Sequence, residues 1–282
     1  MAEHGLGHPP RLPRHPFATR EGEGVPQPPG LFLSAQPIFD LRHPNTVHCA
    51  EVFGQIAGLD GPHKEHLLGT WEQHANPAHM RAFDQAVVAE LAAVLARRPS
   101  NPKGPQSYAA NLSMVTLQSR EAVDEIVEIV KKSRINPARL GFEITETGPL
   151  HNGHAKTFRH NLETLKAAGH KLLADDVPMG PDFAIRFGIM QPYLDVIKLD
   201  KSVVTPLLAG EAAGTINPAL PGVLATARKE GILLLAEGLE TGHDIAKAHH
   251  LHLDLGQGYA LGEPRRLTRE NEMVSAPALP GL

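Results

Sequence analysis

A TIM-like (β/α)8 barrel with its first strand antiparallel is the α/β architecture this chain predicts, and three observations lead to it. Eight short stretches, SAQPIFD, CAEVFGQ, YAANLS, GFEITET, LLADDV, DVIKLD, LLLAEGLE and LGQGYALG, read as strands. Amphipathic helical patterns separate most of them, which is the alternation of a parallel sheet covered by helices. Polar side chains occur at nearly every strand end. A barrel gathers such ends at one mouth, whereas an open doubly wound sheet concentrates them at a single switch point.

The elements follow in order. Residues 1–30 are too rich in Pro and Gly to pack and read as a disordered N-terminal tail. SAQPIFDLRHPNTVHCAEVFGQ is two strands joined by a short RHPNT turn, hence a hairpin, so one strand at the start runs against the rest. Met80 to Arg97 carries Phe83, Val87, Val88, Leu91, Val94 and Leu95 at helical spacing. Glu121 to Lys132 is a second helix, with Ser119 as N-cap, acids in its first turn and lysines in its last. Phe158, Leu162, Leu165 and Ala168 form a third stripe, which Gly169 stops. Val223 to Glu230 forms another, stopped by Gly231, and each stop leads at once into an apolar strand. The barrel domain spans 31–264, and 265–282 reads as a C-terminal tail.

Composition narrows the functions. A length of 282 residues with 41% hydrophobic side chains suits one large domain, and 5% aromatics implies an aliphatic core. A net charge of -4 argues against a broad basic surface for polymeric nucleic acid. The single cysteine, Cys49, excludes an internal disulfide and fits a reducing compartment. With no signal-like segment and no apolar run long enough to span a membrane, the expectation is a cytoplasmic protein. The seventeen histidines match no zinc spacing, including His63 and His66 or His249 and His250, and read as solvated.

The strand ends carry the chemistry. Glu51, Asn111, Glu143, Glu146, Asp175, Asp176 and Glu237 bear oxygens there, with Lys198 and Gln257 beside them. A cluster of hard oxygen donors is most simply explained by a divalent metal. Taken singly, Glu51 or Glu237 reads as a solvated or ion-paired carboxylate and Asn111 as a turn former. Asp195 and Asp200 flank Lys198 as its ion-pair candidates, Asp200 being the favoured one. Adjacent aspartates on a strand face opposite ways, so Asp175 and Asp176 share a site only where the strand is ending. The Val177-Pro178 step marks that ending. Without metal such acids repel one another and should be partly protonated.

These residues, in this order, resemble the EAL-domain family of cyclic di-GMP phosphodiesterases and receptors. Gln36 in QPIFDL, Glu51, NLS at Asn111, EITE from Glu143 to Glu146, ADD at Asp175 and Asp176, IKLDKS at Lys198, AEGLE at Glu237 and QGY at Gln257 carry the resemblance. It implies a barrel whose first strand is antiparallel, in agreement with the hairpin. It also implies Mg²⁺ or Mn²⁺, as two ions. Glu51, Asn111, Glu143 and Asp175 would hold one; Asp175 would bridge to the other, assisted by Asp176 and Glu237. Lys198 would steady the attacking water or the phosphate, Gln257 would orient a neighbouring ligand, and Glu146 would anchor the loop after ADD. Gln36 and Gln55 would face the cyclic dinucleotide substrate, and self-association into a homodimer is compatible with the resemblance.

Two departures stand out. The family's signature has arginine where this chain has Gln55, and the loop after the aspartates is stiffened by Pro178 and Pro181. The leading expectation is hydrolysis of cyclic di-GMP to pGpG. A catalytically weak or inactive module binding cyclic di-GMP or a protein partner is the alternative. A third reading makes Lys198 a Schiff-base or proton-abstracting lysine, which leaves Asn111 and Gln257 without a task.

Overall fold

The computed structural model describes residues 30–43, 46–56, 77–98, 104–146, 148–151, 153–178 and 182–268. Residues 1–29 and 269–282, which composition assigns to tails, lie outside them. Strands β1 (Leu31–Asp40) and β2 (Val47–Ile56) pair antiparallel, as the hairpin reading requires. Asp40 stabilises the turn between them by accepting from the Arg42 amide at 2.9 Å. The next six strands run parallel, each beside its predecessor. They are β3 (Tyr108–Leu112), β4 (Leu140–Ile144), β5 (Leu172–Val177), β6 (Val196–Leu199), β7 (Leu233–Ala236) and β8 (Leu255–Gly256). β1 closes the barrel by pairing with β2 on one side and β8 on the other. A ninth strand, β9 (Arg265–Leu267), lies antiparallel along β1. The sheet therefore continues three residues into the stretch that composition alone assigned to the C-terminal tail.

The expected helices are present with shifted ends. Helix α1 (Pro77–Ala96) buries Val87, Val88, Leu91, Val94 and Leu95. A short α2 (Met114–Leu117) leads into α3 (Arg120–Ser133), whose N-cap Ser119 accepts from the Ala122 amide. Helix α4 (Ala155–Ala167) buries Phe158, Leu162 and Leu165, and Gly169 turns away at φ 96°. Helices α5 (Phe183–Met190), α6 (Lys201–Leu208), α7 (Ala213–Ile216), α8 (Leu220–Glu230) and α9 (Gly242–His250) complete the cover, α8 ending at Gly231 with φ 71°.

Apolar side chains occupy two compartments. The larger one lies between strands and helices. The smaller fills the barrel axis with Ile38, Cys49, Ala109, Leu173, Val196, Leu235 and Leu255. Cys49 lies in this plug with no disulfide, and burial pushes its thiol pKa up, so it stays protonated and inert.

One buried acid on α1 fixes the loop that follows β3. The Asp84 carboxylate accepts from the Ser113 amide at 3.0 Å, the Ser113 hydroxyl at 2.7 Å and the Thr116 hydroxyl at 2.5 Å. Burial raises this carboxyl to about 6 despite those three donors. Asp84→Ala leaves the donors without an acceptor and is expected to destabilise the fold by about 3 kcal/mol. Denaturant melts check this; a change within about 0.5 kcal/mol would refute it.

Candidate active site at the barrel mouth

Strand alternation generates the site. Side chains two positions apart share a face, so the layer above the apolar plug takes one residue from each barrel strand or from the position just after its end. These residues are Gln36, Glu51, Asn111, Glu143, Asp175, Lys198, Glu237 and Gln257. All eight are polar. Five are deeply buried, with Glu143 at 0%, Lys198 at 1%, Gln257 at 4%, Glu51 at 5% and Gln36 at 8% exposure, which excludes a solvated role for them.

The ammonium of Lys198 stands at the centre. Its Nζ lies 2.7 Å from Glu143 Oε2, 2.8 Å from Asp175 Oδ1, 2.8 Å from Glu237 Oε1 and 3.2 Å from Glu51 Oε2. Gln257 donates through Nε2 to Glu51 Oε2 at 2.8 Å and to Gln36 Oε1 at 3.1 Å. Gln36 donates in turn to the Gly262 carbonyl at 3.0 Å, and Asn111 Nδ2 donates to Glu51 Oε1 at 3.4 Å. Gly258 permits this packing: at φ 153°, a Cβ there would lie 2.2 Å from the Leu239 carbonyl oxygen.

The charge is unbalanced. Four carboxylates face one lysine, and the electrostatics respond as expected for repelling acids. Burial, then the Glu51 charge, raises Glu143 well above the ordinary carboxylate range. Burial likewise raises Glu237 to about 7, reinforced by Asp175 and Glu51 against the lowering pull of Lys198. Burial opposes the charge on Lys198, yet the surrounding carboxylates together hold its pKa well above normal. Asp176 is raised to about 8 by burial and by Asp175, Glu237 and Glu146.

The two aspartates meet because β5 is irregular. Its register slips between Ala174 and Val177, and Asp176 adopts a left-handed φ of 46°. The slip brings both side chains to one side, and ligand oxygens of Asp175, Asp176 and Glu237 lie within 4.8 Å of one another. Two buried ring oxygens, Glu143 Oε1 and Gln257 Oε1, have no hydrogen-bond partner among the described residues. Hard oxygen donors converging at this spacing, with acceptors left over, fit a divalent cation. The residues expected around a first ion also converge: Glu51, Glu143 and Asp175 share the Lys198 ammonium, and Asn111 touches Glu51.

Other sequence expectations fare differently. Asp200 is not the partner of Lys198: it caps α6 by accepting from the Ser202 amide at 2.8 Å. Asp195 binds Lys166 and Lys171 at 2.6 and 2.9 Å instead. An Asp at a helix start satisfies free amides, a local bond that outcompetes a distant lysine already surrounded by four acids. Glu146 follows β4, and its carbonyl accepts from Arg186 Nη1 at 3.0 Å. Arg186, which sequence reasoning missed, also pairs with Asp182 and so ties this loop to α5. Gln55 stands two positions beyond Phe53 on β2, at the rim and opposite Phe32. His249 and His250 are exposed on α9; His63, His66 and Met179–Pro181 lie outside the described residues.

Raised carboxyl pKa values set the sign of a pH effect. At these carboxyls the folded chain binds more protons than the unfolded one between about pH 4 and pH 8. They outnumber His48 and His170, whose lowered pKa values act in the opposite sense, so stability without metal falls as pH rises through that window. Melting temperature in EDTA is expected to be lower at pH 8 than at pH 5.5. Saturating divalent metal should reverse this slope, because cation binding requires the deprotonated acids. A flat or rising profile in EDTA would contradict the site's electrostatics.

The geometry agrees with a sequence-family match. The family model of the EAL domain matches residues 27–264. The chain belongs to the EAL domain family. Among curated relatives, this EAL chain is 28% identical over 185 residues to a probable cyclic di-GMP phosphodiesterase, PdeA, of Escherichia coli (strain K12), covering 66% of this chain and 24% of that protein. It is 28% identical over 160 residues to the cyclic di-GMP phosphodiesterase RocR of Pseudomonas aeruginosa, covering 57% and 39% respectively. The chain thus spans about a quarter to two fifths of these relatives' length. Among solved structures, the PaMucR phosphodiesterase in complex with c-di-GMP superposes with a TM-score of 0.67 at 22% identity, covering 84% of this chain and 97% of that one. The manganese and cyclic di-GMP complex of Klebsiella pneumoniae BlrP1 gives 0.64 at 23% identity, covering 88% and 57%. These likenesses establish the EAL fold. No described helix is long and apolar enough to cross a membrane.

Proposed function

We propose that this EAL chain is a metal-dependent phosphodiesterase that opens cyclic di-GMP to linear pGpG. The observation that carries the reading is the unbroken polar ring, which retains every acid and amide of the expected ligand set. Two Mg²⁺ or Mn²⁺ ions, when bound, would polarise the phosphodiester and lower the pKa of water. Glu51, Asn111, Glu143 and Asp175 would hold one ion, and Asp175 with Asp176 and Glu237 the other. Lys198, which shares these acids, would steady a phosphate oxygen or the attacking water through its N–H groups. Gln257, bonded to Glu51 and Gln36, would orient Glu51 as a neighbouring ligand. Glu146 lies near enough to Asp176 to act on its charge, consistent with an anchoring role beside the loop. Gln36 and Gln55 would face the substrate, and buried free Cys49 is consistent with a reducing cytoplasm.

Chromatography of cyclic di-GMP incubated with the protein and either metal tests the reading. Linear pGpG is expected, and its absence under both metals would overturn the proposal. A second reading rests on Gln55, whose neutral amide weakens the grip on phosphate: a module that binds the dinucleotide without cleaving it. Calorimetric binding without turnover would favour that reading. A homodimer is part of the proposal as a route of control, and sedimentation at micromolar concentration checks it; a monomer would remove it.

A further inference from the structure

A second feature lies further toward the mouth. Gln36 faces the ring, so Ser34 and Phe32 present the same face of β1. Across the hairpin, Ser34 opposes Phe53 and Phe32 opposes Gln55. Along the other edge, Ser34 opposes Arg266 and Leu33 opposes Leu267. Leu33 and Leu267 are buried in the outer core, so Arg266 stands on the mouth-facing side with Ser34.

Arg266 is exposed, and its guanidinium carbon lies 4.8 Å over the Phe32 ring. A guanidinium over an aromatic face is attracted by the ring's negative face and held near it while it keeps its N–H donors. No carboxylate of the described residues forms an ion pair with it. Beside its strand, Ser34 is only 6% exposed, and its Oγ has no hydrogen-bond partner in the described structure. Both are donors without acceptors among the described residues, above a ring whose own cation is engaged by four acids. Gln55, at the level of Phe32 on the opposing strand, is neutral.

We propose that Arg266, held on Phe32, binds the phosphate of a cyclic dinucleotide that is not being cleaved, with the Ser34 hydroxyl as a second donor. It thereby supplies from β9 the positive charge that β2 lacks at Gln55. The inference rests on the phosphodiesterase reading above and extends it. Such a substrate carries two phosphodiesters, and only one can occupy the ring. The other retains its negative charge, which the planar guanidinium fork matches with two parallel hydrogen bonds.

The test compares cyclic di-GMP with bis(p-nitrophenyl) phosphate, which has a single phosphodiester, using the full chain with Mn²⁺. Arg266→Gln is expected to raise KM for cyclic di-GMP by about tenfold to a hundredfold. Its kcat should hold within about twofold, and cleavage of the simple ester should be unchanged, as removal of uniform binding requires. Adding Gln55→Arg to that variant should recover most of the loss. Arg266→Lys, which retains the charge without the fork, should fall between wild type and the glutamine variant. An unchanged KM in Arg266→Gln overturns the proposal and leaves the phosphodiesterase reading standing. Equal losses on both substrates also overturn it, since they mark a structural effect. A wild-type protein that neither binds nor cleaves cyclic di-GMP removes both.

Discussion

Lys198→Met is expected to lower metal-free stability by about 3–5 kcal/mol, because it leaves four inward carboxylates with no counter-charge. Nζ lies within 3.2 Å of Glu51, Glu143, Asp175 and Glu237, and the side chain is 1% exposed. A methionine fills similar volume but offers no proton to any of them. For a chain this long, each kcal/mol moves Tm by about 2–4 °C, so a drop of about 10 °C is expected in EDTA. The deficit should be larger at pH 8 than at pH 5.5, since protonation relieves the repulsion at the lower pH. Millimolar Mn²⁺ should restore most of it, as a cation takes over the missing charge. Thermal melts with and without metal check this. A variant as stable as wild type in EDTA at pH 8 would show that the lysine does not balance the ring.

Glu143→Gln should act in the opposite direction on the metal-free fold. The side chain is fully buried, its pKa is raised well above normal, and Oε1 has no partner. An isosteric amide removes one repelling charge while retaining an acceptor for Lys198. The expected result is a metal-free Tm equal to or above wild type, together with loss of the stabilisation that divalent metal provides. That stabilisation is about 2.7 kcal/mol at a hundred times Kd. Loss of partners behind metal ligands already costs about tenfold to a hundredfold, so loss of a direct donor should reduce metal-dependent cleavage by at least about a hundredfold. Melts and product analysis on one preparation separate the two effects. Full metal-induced stabilisation in this variant would remove Glu143 from the cation site.

Much of this was legible in the sequence. The RHPNT turn between two apolar strands gave the antiparallel start, and glycines 169 and 231 marked helix ends that lead straight into strands. The ring followed from polar residues at the strand ends; the fold adds the layer beneath, with Glu51 above Cys49 and Lys198 above Val196. What eluded the sequence depends on non-local contact. Asp84 carries no local signal on its helix, and only the fold brings it to Ser113 and Thr116, about thirty residues away. Asp200 was assigned to Lys198 by adjacency, but its nearest free donors were the amides of the helix it begins. Arg266 sat in a stretch with tail-like composition. Its place on the mouth face is fixed by pairing with β1, more than two hundred residues earlier in the chain.

Binding of Mn²⁺ followed by electron paramagnetic resonance tests the central claim most directly, since free aqueous ion gives the signal that binding removes. Titration of metal-stripped protein at pH 8 should deplete free Mn²⁺ at up to two ions per chain, less readily at pH 5.5, and with clear impairment in Glu143→Gln. Unchanged free Mn²⁺ in the presence of wild-type protein would mean that the acids of the barrel mouth hold only their lysine, and the proposed hydrolysis would have no basis.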